Sequence, residues 1–132
     1  MPVPPTTTPP TISNLVPMLH VADVERAAGF YSRLGFAVAH THCEPEVDGE
    51  TVWAWLQSAG GADLMLARVD QPVDPVHPGE LLHLYCDDVA QMHAQLRAAG
   101  VAVGEIVTPF YCPTGEFRTM DPDGHGLMIT SA

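Results

Sequence analysis

Two histidines occupy matching apolar contexts, His20 in Leu19-His20-Val21 and His83 in Leu82-His83-Leu84. An imidazole donates or accepts a proton near neutrality, so the pair offers acid-base chemistry around a ligand. Each also reads as a hydrogen-bonded pocket wall, and a metal arrangement built on both histidines lacks an obvious carboxylate to complete it. Trp53 and Trp55 alternate with Ala54 and therefore share one face of a strand. Two indoles on one face bind planar or cationic groups by stacking and cation-π attraction, and they serve equally as core filling. Arg118 shares strand parity with Met120. Buried among apolar side chains, it needs an anionic or carbonyl partner, either on a ligand or from the chain's own carboxylates. His40 and His42 also alternate, but beside a polar loop, and they read as a solvated strand edge.

The formal charge is −11, from sixteen carboxylates against five arginines and no lysine. Such a field repels nucleic-acid phosphates and anionic lipid and favours a cationic ligand, although an acidic surface also serves solubility alone. No apolar run reaches the roughly 20 residues of a membrane span, and no secretory pattern opens the chain, so a cytoplasmic location is expected. Cys43, Cys86 and Cys112 are odd in number and contain no CxxC pair, which indicates free thiols rather than disulfides or a zinc knuckle. There is no serine nucleophile elbow, phosphate-binding glycine loop or zinc-protease helix motif.

Residues 1–13 form a Pro/Thr-rich tail, with five prolines and three threonines among the first ten, a composition that builds no core. Beyond it, an apolar strand over 15–21 leads to Asp23, an N-cap for a helix carrying Val24, Ala27, Ala28, Tyr31 and Leu34 and ended by Gly35. Strands are predicted over 36–42, 51–57 and 62–69. Prolines at 72, 75 and 78 mark a linker over 71–79. The same order then repeats: a strand over 81–86, a helix over 89–99 opened by Asp88 with Gln91 and closed by Gly100, and strands over 101–107, 116–120 and 126–131. Asp23, Val24, Gly35 and Val38 recur sixty-five residues later as Asp88, Val89, Gly100 and Val103. The expected fold is therefore α+β, two βαβββ modules over about 14–70 and 80–132 in a single domain over 14–132, with a cleft on the concave sheet faces.

On this frame the chain resembles the vicinal oxygen chelate superfamily of glyoxalases, bleomycin-resistance proteins and ring-cleaving dioxygenases. The carriers are Leu19-His20-Val21-Ala22-Asp23, Phe30-Tyr31 and Leu34-Gly35-Phe36 in the first module. In the second they are Leu82 to Val89, Ala98-Ala99-Gly100-Val101, Gly115-Glu116-Phe117 and Asp121-Pro122-Asp123-Gly124.

The resemblance implies four metal-ligand positions in metal-dependent members, here Val16, Leu81, Met128 and, by module symmetry, Met65. None supplies the oxygen or imidazole donor that magnesium, manganese or nickel requires, so no metal and no cofactor is expected. By parity with Val16 and Leu81, the residues Met18, His20, His83 and Tyr85 face the cleft. The resemblance turns Trp53, Trp55 and Arg118 toward it as well, and places Phe110 and Tyr111 in a loop over 108–115 that folds across its mouth.

The expected function is metal-independent sequestration of a planar aromatic small molecule, neutral or cationic, in the manner of bleomycin-resistance proteins and with antibiotic resistance as the implied role. The ligand-binding set is His20, Trp53, Trp55, His83, Tyr85, Phe110, Tyr111 and Arg118. The alternative is a glyoxalase-fold lyase, isomerase or dioxygenase that uses His20 and His83 catalytically or holds a displaced metal; a third reading is a regulatory or interaction module. Relatives commonly pair, so a homodimer is expected.

Overall fold

The computed structural model describes residues 10, 14–44, 49–70 and 81–131. The Pro/Thr-rich tail except Pro10, and the linker over 71–79, lie outside the described residues.

Asp23 takes extended backbone angles and its side chain accepts from Arg26 N at 3.0 Å, which opens helix α1 (Val24–Ser32). Asp88 repeats the device with Gln91 N at 2.9 Å and opens α2 (Val89–Ala98). Gly35 and Gly100 leave the helices at φ 93° and 82°, left-handed angles that a side chain with a Cβ rarely adopts.

Around α1 lie β1 (Met18–Val21), β2 (Phe36–Cys43), β3 (Thr51–Ser58) and β4 (Asp63–Arg68), and around α2 lie β5 (Leu82–Cys86), β6 (Glu116–Met120) and β7 (Gly126–Ser131). The first sheet has the order β1-β4-β3-β2, with β1 parallel to β4; the second has the order β5-β7-β6, with β5 parallel to β7. The strand expected over 101–107 is reduced to two bridges beside β6, Val103 to Thr119 and Val107 to Glu116. Four residues on one side span three on the other, so a bulge interrupts the ladder there. A Cβ at Gly104 would lie 3.3 Å from the Arg118 carbonyl oxygen, so the chains approach closely at this point. With this irregular edge counted, the second sheet repeats the order of the first. The α+β fold of two βαβββ modules is the one the sequence implied.

Strand alternation divides each sheet into an apolar face and an open one. Leu19, Val21, Ala54, Leu56, Leu64 and Leu66 of the first sheet, and Phe117, Leu127 and Ile129 of the second, join Val24, Ala27, Tyr31, Val89 and Leu96 of the helices in one core. The modules are also joined by polar contacts at the turn after β6. Tyr31 donates to Asp121 Oδ2 at 2.8 Å, Ala22 N donates to Asp123 Oδ1 at 2.9 Å, and the Arg26 guanidinium meets the same oxygen at 3.3 Å. Burial first, and then the Asp121 carboxylate beside it, push the Tyr31 hydroxyl far above the ordinary phenol range, so it remains a donor. His125 Nε2 meets the His20 carbonyl at 2.8 Å and ties β1 to the same turn.

Candidate functional site on the open sheet faces

On the open face of the first sheet, register places side chains in rows. One row reads His20, Ala67, Trp53, His42; the next reads Met18, Met65, Trp55, His40. Trp53 and Trp55 thus share the face, as alternation predicts, and both are partly exposed. Their ring centroids are 6.4 Å apart and their planes meet at 84°, so they form a corner rather than a flat platform. A ring stacked on one indole meets the edge of the other. Trp55 Nε1 donates to Asp63 Oδ1 at 2.9 Å, which fixes that indole.

Asp63 also accepts from Gln57 Nε2 at 2.9 Å. Accepting from Trp55, and then from Gln57, holds the carboxyl below its ordinary value of 3.8. A depressed carboxyl stabilises the fold above its unfolded value, and that contribution is lost as the pH falls through the folded value. The Trp55 indole N–H signal in NMR is therefore expected to hold steady from neutrality down past pH 3.8 and to move only below it. Movement well above 3.8 would contradict the contact.

His40 and His42 are exposed on the edge strand β2, as the sequence reads them, but their alignment with the indoles is what sequence reasoning missed. Counting by twos from buried Phe36 sends His40 and His42 to the core side. The register shifts between Val38 and His40, however, so that Val38 faces Leu56 whereas His40 faces Trp55. One extra residue reverses the parity and aligns both imidazoles with the indoles.

The second sheet carries the remaining candidates. Its rows read His83, Met128, Arg118 and Tyr85, Thr130, Glu116. Met65 faces Met18, and Met128 faces His83, sixty-five residues after Met18, so the two methionines hold equivalent positions. Val16 lies two residues before β1 and Leu81 one residue before β5, and both are partly buried. Two thioethers and two aliphatic chains at these positions offer no hard donor, so the residues present do not fit a magnesium, manganese or nickel ion. Among the described residues no three His, Cys, Asp or Glu side chains converge.

Arg118 is exposed, which corrects the expectation that it is buried in an apolar cavity. The cause is its place on the uncovered side of β6, opposite Met128. Among the described residues the ion pairs are Arg26 with Asp123 and Arg68 with Glu50 and Asp70, leaving the Arg118 guanidinium without a carboxylate. Tyr85 is 69% exposed, and it lines with His83 and Met92 a cleft of about 380 Å³ against the β3–β4 turn. Arg118 and Met120 border a separate cleft of about 540 Å³ beside Leu81 and Val103. His20, Trp53 and Trp55 thus belong to one sheet face, and His83, Tyr85 and Arg118 to the other.

The loop over 108–115 is fastened by polar contacts. Tyr111 donates to Glu116 Oε1 at 2.8 Å, a bond that raises the phenol, and Cys112 is buried against Thr130 Oγ1 at 3.3 Å, a contact that lowers the thiol. Phe110 packs edge-on to Tyr111 yet is 96% exposed. Tyr111 is thereby held to the open face of the second sheet, while Phe110 projects outward.

Comparison with known proteins agrees with this architecture. No curated protein matches the sequence significantly. Among solved structures, a bleomycin-binding protein complexed with bleomycin superposes with a TM-score of 0.70 at 21% identity, covering 92% of this chain and 99% of the other. A bleomycin resistance determinant encoded on the transposon Tn5 gives 0.71 at 21% identity, with 91% and 98% covered. FosX, a fosfomycin resistance protein from Listeria monocytogenes in complex with Mn(II) and 1S,2S-dihydroxypropylphosphonic acid, gives 0.71 at 13% identity, with 92% and 94% covered. Residues 14–129 match the family described as the Glyoxalase/Bleomycin resistance protein/Dioxygenase superfamily, and the chain belongs to it.

Proposed function

We propose that this protein binds a planar aromatic small molecule on its open sheet faces without a catalytic metal. The observation that carries this reading is the indole corner of Trp53 and Trp55, two partly exposed rings on a face whose neighbours are imidazoles and thioethers. Two partly exposed indoles on one face present apolar ring area that a planar molecule can cover. The charge of −11 favours a cationic group on that molecule. The likeness to a bleomycin-binding protein fits the same reading and suggests resistance by sequestration.

Tyr85, Met120, Phe110 and Tyr111 of the second module are exposed together with Met18 of the first. A second copy of the chain would cover these surfaces, and the working form is a homodimer whose paired faces enclose the ligand. Three free cysteines suit a reducing cytoplasm. No helix among the described residues is long and apolar enough to cross a membrane.

Elemental analysis of the purified protein, with and without added divalent metals, tests the metal-free reading. No stoichiometric metal is expected, and His20→Ala or His83→Ala should leave the metal content unchanged. One metal per chain that is lost in either variant would favour the enzyme reading instead.

A further inference from the structure

The cleft of about 540 Å³ on the second sheet has apolar walls and a single exposed charge in its lining, Arg118. Gly126 lies at its middle. It pairs with Met120 of β6 on one side, and Leu81, one residue before the Leu82–Leu127 pair, stands beside it on the other. Having no side chain, Gly126 leaves a gap between the two. Met120 is 61% exposed, so its thioether chain is apolar surface facing that gap from the open side. Arg118 precedes Met120 by two residues and shares its side of the strand. A Cβ at Gly104 would lie 3.9 Å from the Arg118 Cβ, so the irregular edge of the sheet runs beside the root of this side chain.

The carboxylates nearest in sequence are already engaged. Asp121 also lines the cleft, but it is buried and its two oxygens accept from Asp123 N, His125 N and Tyr31. Glu116 is buried and accepts from Tyr111. Neither forms an ion pair with Arg118, and no other carboxylate among the described residues does so. A guanidinium recognises a carboxylate through two parallel N–H donors, and an apolar wall beside it selects what that carboxylate is attached to. The charge of −11 opposes an anion at long range, yet physiological salt screens exposed charges separated by more than about 8 Å. The guanidinium at the cleft therefore outweighs the distant carboxylates.

We infer that this cleft is a second ligand site, for a small monocarboxylate with an aliphatic tail. The carboxylate pairs with Arg118, and the tail lies along Leu81, Gly126 and Met120. The site is on the other sheet from the indole corner and does not rest on the aromatic-binding reading.

The test is an NMR titration of the full chain with hexanoate, hexanamide and acetate. Hexanoate should bind at least about tenfold more tightly than hexanamide, the effect of a charge-assisted pair, and at least about tenfold more tightly than acetate, the effect of burying part of the tail. Its largest shift changes should fall on Leu81, Met120 and Gly126. Arg118→Gln, a change at an exposed position, should bring hexanoate down to the hexanamide level.

Equal affinity for hexanoate and hexanamide, or an unchanged affinity in Arg118→Gln, would overturn the ion pair and the inference with it. Acetate binding as tightly as hexanoate would show an exposed arginine that meets any anion, with no part played by the cleft. Shift changes centred on Trp53 and Trp55 would place the probe on the first sheet and overturn the second site, a result read in the wild type alone. Because the probes are aliphatic, failure of aromatic binding leaves each of these outcomes readable.

Discussion

Replacing Asp121 with alanine is expected to destabilise the fold by about 3–5 kcal/mol, the largest single effect outside the apolar core. Its Oδ1 accepts from Asp123 N and His125 N, both at 2.9 Å, and its Oδ2 accepts from Tyr31. Alanine orphans all three donors, and Tyr31 is fully buried. An unmade bond at a buried donor costs about 1–3 kcal/mol. At the usual dependence for small proteins, this corresponds to a shift of the urea midpoint on the order of 2 M. Tyr31→Phe removes only one of the three bonds and should cost about 1–3 kcal/mol. The double variant should cost less than the sum, because both changes delete the same contact. Strict additivity would show that the link between the modules is carried elsewhere.

The second large effect concerns binding. Trp53→Ala is expected to weaken an aromatic cation about 10- to 100-fold, the range for truncating a buried aromatic anchor. Trp53→Phe should recover most of the loss, since stacking survives without the indole. Trp55→Ala removes the other wall of the corner and also leaves Asp63 bonded to Gln57 alone. Its loss of affinity therefore mixes a missing ring with a freed carboxylate, and Trp53 is the cleaner probe. Isothermal titration of each variant separates the cases; unchanged affinity in Trp53→Ala would remove this indole from the site.

The helices and the module duplication were legible because their signals are local. Asp23 and Asp88 cap by bonding to a backbone N–H three residues on, and Gly35 and Gly100 end the helices by accepting left-handed angles. The pairing of Trp53 with Trp55 was legible for the same reason, since alternation needs only a strand. His40 and His42 read as a solvated strand edge and are exposed on the edge strand β2, but their alignment with the indoles was not legible, because the bulge that sets it is a property of two paired strands and nothing around Ala39 announces it. The strand expected over 101–107 was interrupted by the same kind of event opposite β6. The burial of Arg118 was misjudged because it depends on what lies over the second sheet, a question no single strand answers. Asp121 and Asp123 read as turn residues and prove to be the polar seam between the modules, with partners ninety and more residues away.

Binding of a planar aromatic molecule on the open face of the first sheet, without a metal, is the proposed function. Its most direct test is a tryptophan fluorescence titration of chelator-treated protein with bleomycin and with simpler aromatic cations, repeated after divalent metals are added. Saturable quenching with the same midpoint in both conditions, lost in Trp53→Ala, is the predicted result. Quenching that appears only with added metal, or an equal response in Trp53→Ala, would contradict it.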